Sequence, residues 1–171
     1  ILERREERLD TDAGFAVTER DTNSGTGVYQ LRYGAFAAQA NLRHDHSSQY
    51  GGRTTGGLAL GYRVSPAWRV TAGYSTGFKA PSFNDLYYPF FSNPELQPET
   101  SRNMEAAAYW TAGSGGVRWE ARAVGYYNRV DDLIVFQCDA DFNCLPRNVA
   151  RATLKGVTLG LDLAWRATRV K

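Results

Sequence analysis

The sequence predicts an all-β chain, an antiparallel, up-and-down sheet of about eight strands that forms a segment of a transmembrane β-barrel. Three observations predict it. Apolar and polar side chains alternate with a period of two over most of the length, the mark of strands with two unlike faces. The connections between these runs are alternately short and long, as in membrane barrels. Trp68, Trp119 and Trp165 stand at the short-turn ends of three apolar faces, and Trp110 at the same end of a fourth. Amphipathic rings at one common level favour a membrane interface.

Composition narrows the class without naming it. Hydrophobic residues make up 43% of the 171, yet no run approaches the ~18 apolar residues of a membrane helix. A helical membrane protein is excluded and a barrel is not, because barrel strands look polar on average. The net charge of +2 leaves no basic excess of the kind that binds nucleic acid. With 17 glycines, 10 tyrosines and a single methionine, the chain suits an all-β fold with aromatic girdles. No leader peptide is visible, and both ends fall within charged segments, so a piece of a larger protein is expected.

Taken in order, Ile1 to Asp10 is rich in charge and reads either as a solvated helix or as the upper part of a barrel strand. Asp10 to Asn23 is polar and reads as a loop. From Val28 to Tyr33, Tyr29, Leu31 and Tyr33 share one face and Gln30 and Arg32 the other. A turn at Gly34 follows, then Phe36, Ala38, Ala40 and Leu42 alternate with Ala37, Gln39, Asn41 and Arg43. Residues 44–55 read as a loop or a strand extension. Leu58 to Val64 and Trp68 to Thr76 form the next pair across Ser65-Pro66-Ala67, and a long segment, 80–101, comes next. Met104 to Trp110 and Trp119 to Tyr127 pair across a Gly-rich turn near 114. The latter run continues through Leu133-Ile134-Val135-Phe136 into a polar loop, 137–148. Val157 to Trp165 closes the series.

The polar face carries Arg32, Gln39, Asn41, Arg43, Arg63, Arg69, Asn103, Glu105, Arg118, Glu120, Arg122 and Asp162. Unpaired charges in a packed core cost several kcal/mol each, so this face is expected to line a wet lumen or to meet a polar plug.

One stretch is repeated nowhere else: Gly73-Tyr74-Ser75-Thr76-Gly77-Phe78-Lys79-Ala80-Pro81, Asp85-Leu86-Tyr87, then Asn93-Pro94-Glu95-Leu96-Gln97-Pro98-Glu99-Thr100. With Asn41–Gly51, Tyr127–Ile134 and Lys155-Gly156-Val157, it resembles the TonB-dependent receptors of Gram-negative outer membranes, and among them the receptors for cobalamin (vitamin B12). The resemblance covers about Thr26 to Leu163 and implies a barrel of about 22 strands around a plug, of which roughly a third is here. The plug, the energy-coupling segment and the closing C-terminal strand of that family have no counterpart in these residues. What it implies is a cobalamin or other metal-chelate ligand, outer-membrane lipid around the barrel, and a TonB energy-coupling complex engaged through parts outside this chain. A ferric siderophore or haem is the alternative ligand.

Phe83, Tyr87, Tyr88, Phe90 and Phe91 fall within nine residues, fenced by Pro81, Pro89, Pro94 and Pro98. Prolines restrict such a loop, and rings give contact area at low entropy cost. These rings and Asn93 are the candidate substrate contacts; the competing reading is that the rings pack on each other to hold the loop upright. A corrin ring with neutral amide arms suits aromatic faces edged by amides.

His44-Asp45-His46 with Ser47 invites a catalytic or metal reading. The strand period sends His44 and His46 to one face and Asp45 to the other, so no triad converges and no third metal ligand is signalled. Neither an enzyme nor a metal site is expected. Asp139-Ala140-Asp141-Phe142-Asn143 begins like a calcium loop, but Cys144 stands where the pattern requires Gly and Ala150 where it requires Glu. Calcium is therefore unsupported by a motif. Cys138 and Cys144 flank this segment, and in the oxidising compartment the resemblance implies they are expected to be joined.

Overall fold

The computed structural model describes residues 1–138 and 144–165, leaving the side chain of Ala150 aside. Eight strands form one antiparallel sheet in sequence order. They are β1 (Leu2–Arg8), β2 (Glu19–Tyr33), β3 (Phe36–Ser47), β4 (Gly51–Arg63), β5 (Trp68–Lys79), β6 (Glu99–Ser114), β7 (Val117–Cys138) and β8 (Cys144–Trp165). A short helix, α1 (Phe83–Tyr87), lies between β5 and β6. Each strand pairs with the next, and β1 and β8 are the two edges of the sheet.

Two of the three short connections are built where a left-handed backbone is cheap. Gly34 opens the turn from β2 to β3 at φ 57°, and Gly115 and Gly116 turn β6 into β7 at φ 60° and 84°. Glycine takes such angles without the Cβ penalty, and they match the twist of a two-residue hairpin.

Register shows how the strands lie in a membrane. Tyr33, Phe36, Tyr62, Val70, Ala108, Ala123 and Leu159 form one row across β2 to β8. The aromatic belt descends from that row in steps. Tyr33, Phe36 and Tyr62 lie on it, Trp68 and Trp110 two residues below, Trp119 four and Trp165 six. Six residues over six strand-to-strand steps is one residue per step. A rise of about 3.3 Å for each spacing of about 4.8 Å tilts the strands by about 35°, at the foot of the range for membrane barrels. A belt that is level in the membrane thus requires tilted strands, and the sequence places its rings accordingly. On β7, Trp119 and Tyr127 are eight residues apart, about 22 Å of height at that tilt, close to the apolar band of a barrel.

The apolar face is uncovered. Among the described residues the buried apolar side chains are Leu86, Leu96, Ala107 and the prolines Pro81, Pro98 and Pro146, whereas Leu159 is 76% exposed, Leu161 65% and Trp165 79%. Such a face is stable only against lipid or another apolar phase. The opposite face carries the polar set expected from the sequence: Gln30 faces Gln39, Arg69 faces Tyr109 and Glu120 faces Asp162 in register.

Two sequence expectations need correction. Residues 10–23 are not all loop, because β2 begins at Glu19, and β7 and β8 run through most of 137–148. Where the sequence leaves alternatives open, the strand is found: 44–55 extends β3 and β4, joined by residues 48–50, and the charge-rich start is strand β1 and not a helix. The cause is common to all four. Above the apolar band both faces of a strand are wet, so the alternation fades while the backbone ladder continues.

An aromatic loop held over a charged inner face

The connection from β5 to β6 folds inward, toward the polar face. Ser82 caps α1: its hydroxyl accepts from the Asp85 backbone N–H at 3.1 Å, and the Asp85 carboxylate accepts from the Ser82 N–H at 2.9 Å. This reciprocal cap satisfies donors that a short helix leaves free. Leu86 and Leu96, buried at 5% and 6% exposure, plug the loop from within.

Arg20 of β2 anchors one end. Its Nη1 donates to the Pro81 carbonyl at 2.9 Å, its Nε donates to Glu7 at 2.7 Å, and its guanidinium lies 5.0 Å from the centre of the Phe83 ring. The other end is anchored on β8. Asn148 accepts from the Gln97 N–H at 2.8 Å and donates to the Gln97 carbonyl at 2.9 Å. Asn93 donates to the Pro146 carbonyl at 3.2 Å, while its own side-chain oxygen accepts from the Glu95 N–H. Glu99 sits at 7% exposure and accepts from the Ile134 N–H and from Lys79.

Beneath the loop lies a cavity of about 350 Å³ lined by Glu3, Glu7, Arg20, Arg43, Asp45 and Tyr50, among others. Arg43 donates to both oxygens of Asp45 and to Glu3 and Ser24, and Ser24 donates to Asp45. Burial alone would raise the Asp45 carboxyl. The hydrogen bonds from Arg43 and Ser24 outweigh it and hold the group below its ordinary value. The cluster is electrically balanced, with Arg5, Arg20 and Arg43 against Glu3, Glu7 and Asp45. Gln49 Nε2 and Arg53 Nε are buried on this side without a partner among the described residues.

The six candidate contacts do not share one environment. Phe83 is half-buried under Arg20, and Tyr88 meets Phe15 edge-on at 5.6 Å. Asn93 is committed to holding the loop. Tyr87 is half-buried, Phe91 is 51% exposed, and Phe90 is 94% exposed at φ 69°. The loop therefore uses some rings to stand up and presents others. His44 and His46 point to the outward side and Asp45 to the inner one, and no group of metal-ligating side chains forms among the described residues. Cys138 and Cys144 face each other in register with their sulfurs bonded; the residues between them, 139–143, which hold the calcium-like run, lie outside the described residues.

Sequence reasoning alone does not find Arg20, because the polar run 10–23 reads as a loop. Its signal was the polar alternation Arg20, Thr22, Ser24, which reads as a strand only with both faces wet.

The sequence model of the family described as "TonB dependent receptor-like, beta-barrel" matches residues 8–170. The chain belongs to this family. Among curated relatives, the receptor barrel is 32% identical over 94% of its length to the vitamin B12 transporter BtuB of Photobacterium profundum and 29% identical over 85% to that of Vibrio cholerae. It spans 26% and 23% of those two proteins. Solved receptor barrels share its fold. The haemophore receptor HasR of Serratia marcescens matches 95% of this chain at a TM-score of 0.80 and 15% identity, over 35% of its own length. The siderophore receptor PirA of Pseudomonas aeruginosa matches 82% at 0.71 and 20% identity, over 28% of its length.

Proposed function

We propose that this chain is part of the barrel of an outer-membrane TonB-dependent receptor that takes up cobalamin actively in a Gram-negative bacterium. The observation that carries the reading is the similarity to vitamin B12 transporters, which extends over 94% of the chain at 32% identity. Siderophore and haemophore receptors resemble it only at the level of fold.

The site chemistry agrees. A ferric siderophore presents anionic oxygens and calls for uncompensated cations, whereas Arg20 and Arg43 under the loop are each spent on carboxylates. Haem calls for an inward histidine, and both histidines face outward. A corrinoid edged by neutral amides suits exposed rings such as Phe90 and Phe91. The polar face of the sheet lines the lumen, the apolar face meets outer-membrane lipid, and coupling to the TonB complex runs through a plug outside these residues. Binding of cyanocobalamin, haem and a ferric siderophore to the full-length receptor carrying this chain tests the reading. Tight binding of cyanocobalamin alone is expected, and tight binding of haem or a siderophore with none of cyanocobalamin overturns it.

A further inference from the structure

The outward face holds a second feature that substrate uptake does not use. One outward row of the sheet runs Tyr74, Met104, Tyr127, Lys155. In the next row away from the short turns, Arg102 stands directly opposite Arg129, and in the row after it Asp131 stands opposite Arg151. Four cations therefore cluster around one acid on the outward side. Asp131 serves two of them, bonding Arg129 at 3.1 Å and Arg151 at 2.7 Å. Arg102 and Lys155 have no acidic partner among the described residues. Like charges directly opposite across two strands are destabilising, so an Arg102–Arg129 pair is a place that an external anion would relieve.

Immediately on the lipid side of these cations lies a dent of about 560 Å³, lined by Met104, Ala106, Gly125, Tyr127, Lys155 and Val157, with Glu105 and its neighbours of the inward-facing row, Tyr126 and Gly156, behind them. It exists because position 125 has no side chain: a Cβ built there meets nothing within 4 Å. The dent is apolar, and Lys155 is one of the residues that line it. Tyr127 marks the upper limit of the apolar band, so Arg102, Arg129 and Lys155 sit at headgroup depth, with Arg151 further out, and the dent lies at acyl depth. Phosphate beside Arg and Lys at a membrane surface is favourable by charge, and an acyl chain is favourable in an apolar groove.

We propose that the Gly125 dent and the Arg102, Arg129, Arg151 and Lys155 cluster form a binding site for a phosphate-bearing lipid in the leaflet on the long-loop side. The acyl chain lies over Gly125 and the phosphate sits between Arg102 and Lys155. The site is separate from the inward-facing loop and stands whatever substrate the receptor carries.

The test uses full-length receptor, stripped of lipid in a non-ionic detergent, titrated with phosphatidic acid or diacylglycerol and read by native mass spectrometry. These two lipids differ only in the phosphate. Phosphatidic acid is expected to bind at least tenfold more tightly. The R102Q/K155Q variant, which removes the two cations without acidic partners, is expected to lose about fivefold in affinity for each cation removed. Gly125→Leu, which fills the dent, is expected to weaken both lipids. R4Q/R8Q removes two outward cations from β1, away from the dent, and is expected to change nothing. Full affinity in both R102Q/K155Q and Gly125→Leu overturns the proposal, as does displacement of phosphatidic acid by millimolar inorganic phosphate, which would mark a site for a free anion.

Discussion

Phe90 and Phe83 belong to one loop and do opposite work. Phe83 carries the Arg20 guanidinium on its face, an interaction worth about 0.5–2 kcal/mol. Phe90 touches almost nothing and holds a left-handed backbone at φ 69° that costs an L-residue about 1 kcal/mol. Phe90→Ala is expected to weaken cyanocobalamin binding by about 1–3 kcal/mol without lowering thermal stability. Phe83→Ala is expected to lower stability first. Calorimetric titration and a melting curve on each variant of the full-length receptor separate the two effects. Asp45 gives a pH dependence. Its folded-state pKa is depressed, so its contribution is complete above the ordinary value of 3.8 and is lost as the pH falls through the lower folded-state value. Asp45→Asn is expected to cost about 1–3 kcal/mol at neutral pH and to flatten this acid limb in denaturant titrations. An acid limb as steep as wild type would show that another carboxylate carries it.

At the scale of elements, the loop between β5 and β6 is tied to both sides of the sheet by few bonds. Arg20 alone holds the Pro81 carbonyl, Glu7, Gln49 and the Phe83 ring. Arg20→Ala is expected to raise amide hydrogen exchange across residues 80–98 while leaving β4 to β7 protected, since strand ladders do not depend on that side chain. Uniform loss of protection would show that Arg20 supports the sheet and not the loop. The same elements show what the sequence could reveal. Strands within the apolar band were legible down to their faces, because one side meets lipid and the other water: Leu58 against Ala59, Trp119 against Glu120. Their extensions were not, because Arg20, Asp45 and Asn148 sit above the band where both sides are wet and period-two contrast disappears. The aromatic loop was legible as a cluster of rings and prolines, but which ring supports and which is presented depends on Arg20 and Pro146, residues distant in the chain.

For the whole molecule, two facts dominate: an apolar face with almost no core behind it, and open edges at β1 and β8. Unpaired edges invite pairing. Expressed alone, this chain is expected to associate or to require detergent, and a water-soluble monomer in sedimentation would contradict the assignment of the outward face. The receptor reading and the lipid site both rest on that face and on its orientation. Cysteine accessibility in intact cells reads both directly. In full-length receptor, Ser48→Cys and Ser92→Cys, on the long-connection side, are expected to react with a membrane-impermeant maleimide. Ala35→Cys and Ser114→Cys, at the short turns, are expected to stay unlabelled until the outer membrane is permeabilised. Labelling of Ala35→Cys and Ser114→Cys alone in intact cells would invert the barrel, and equal labelling of all four would deny that these strands cross a membrane.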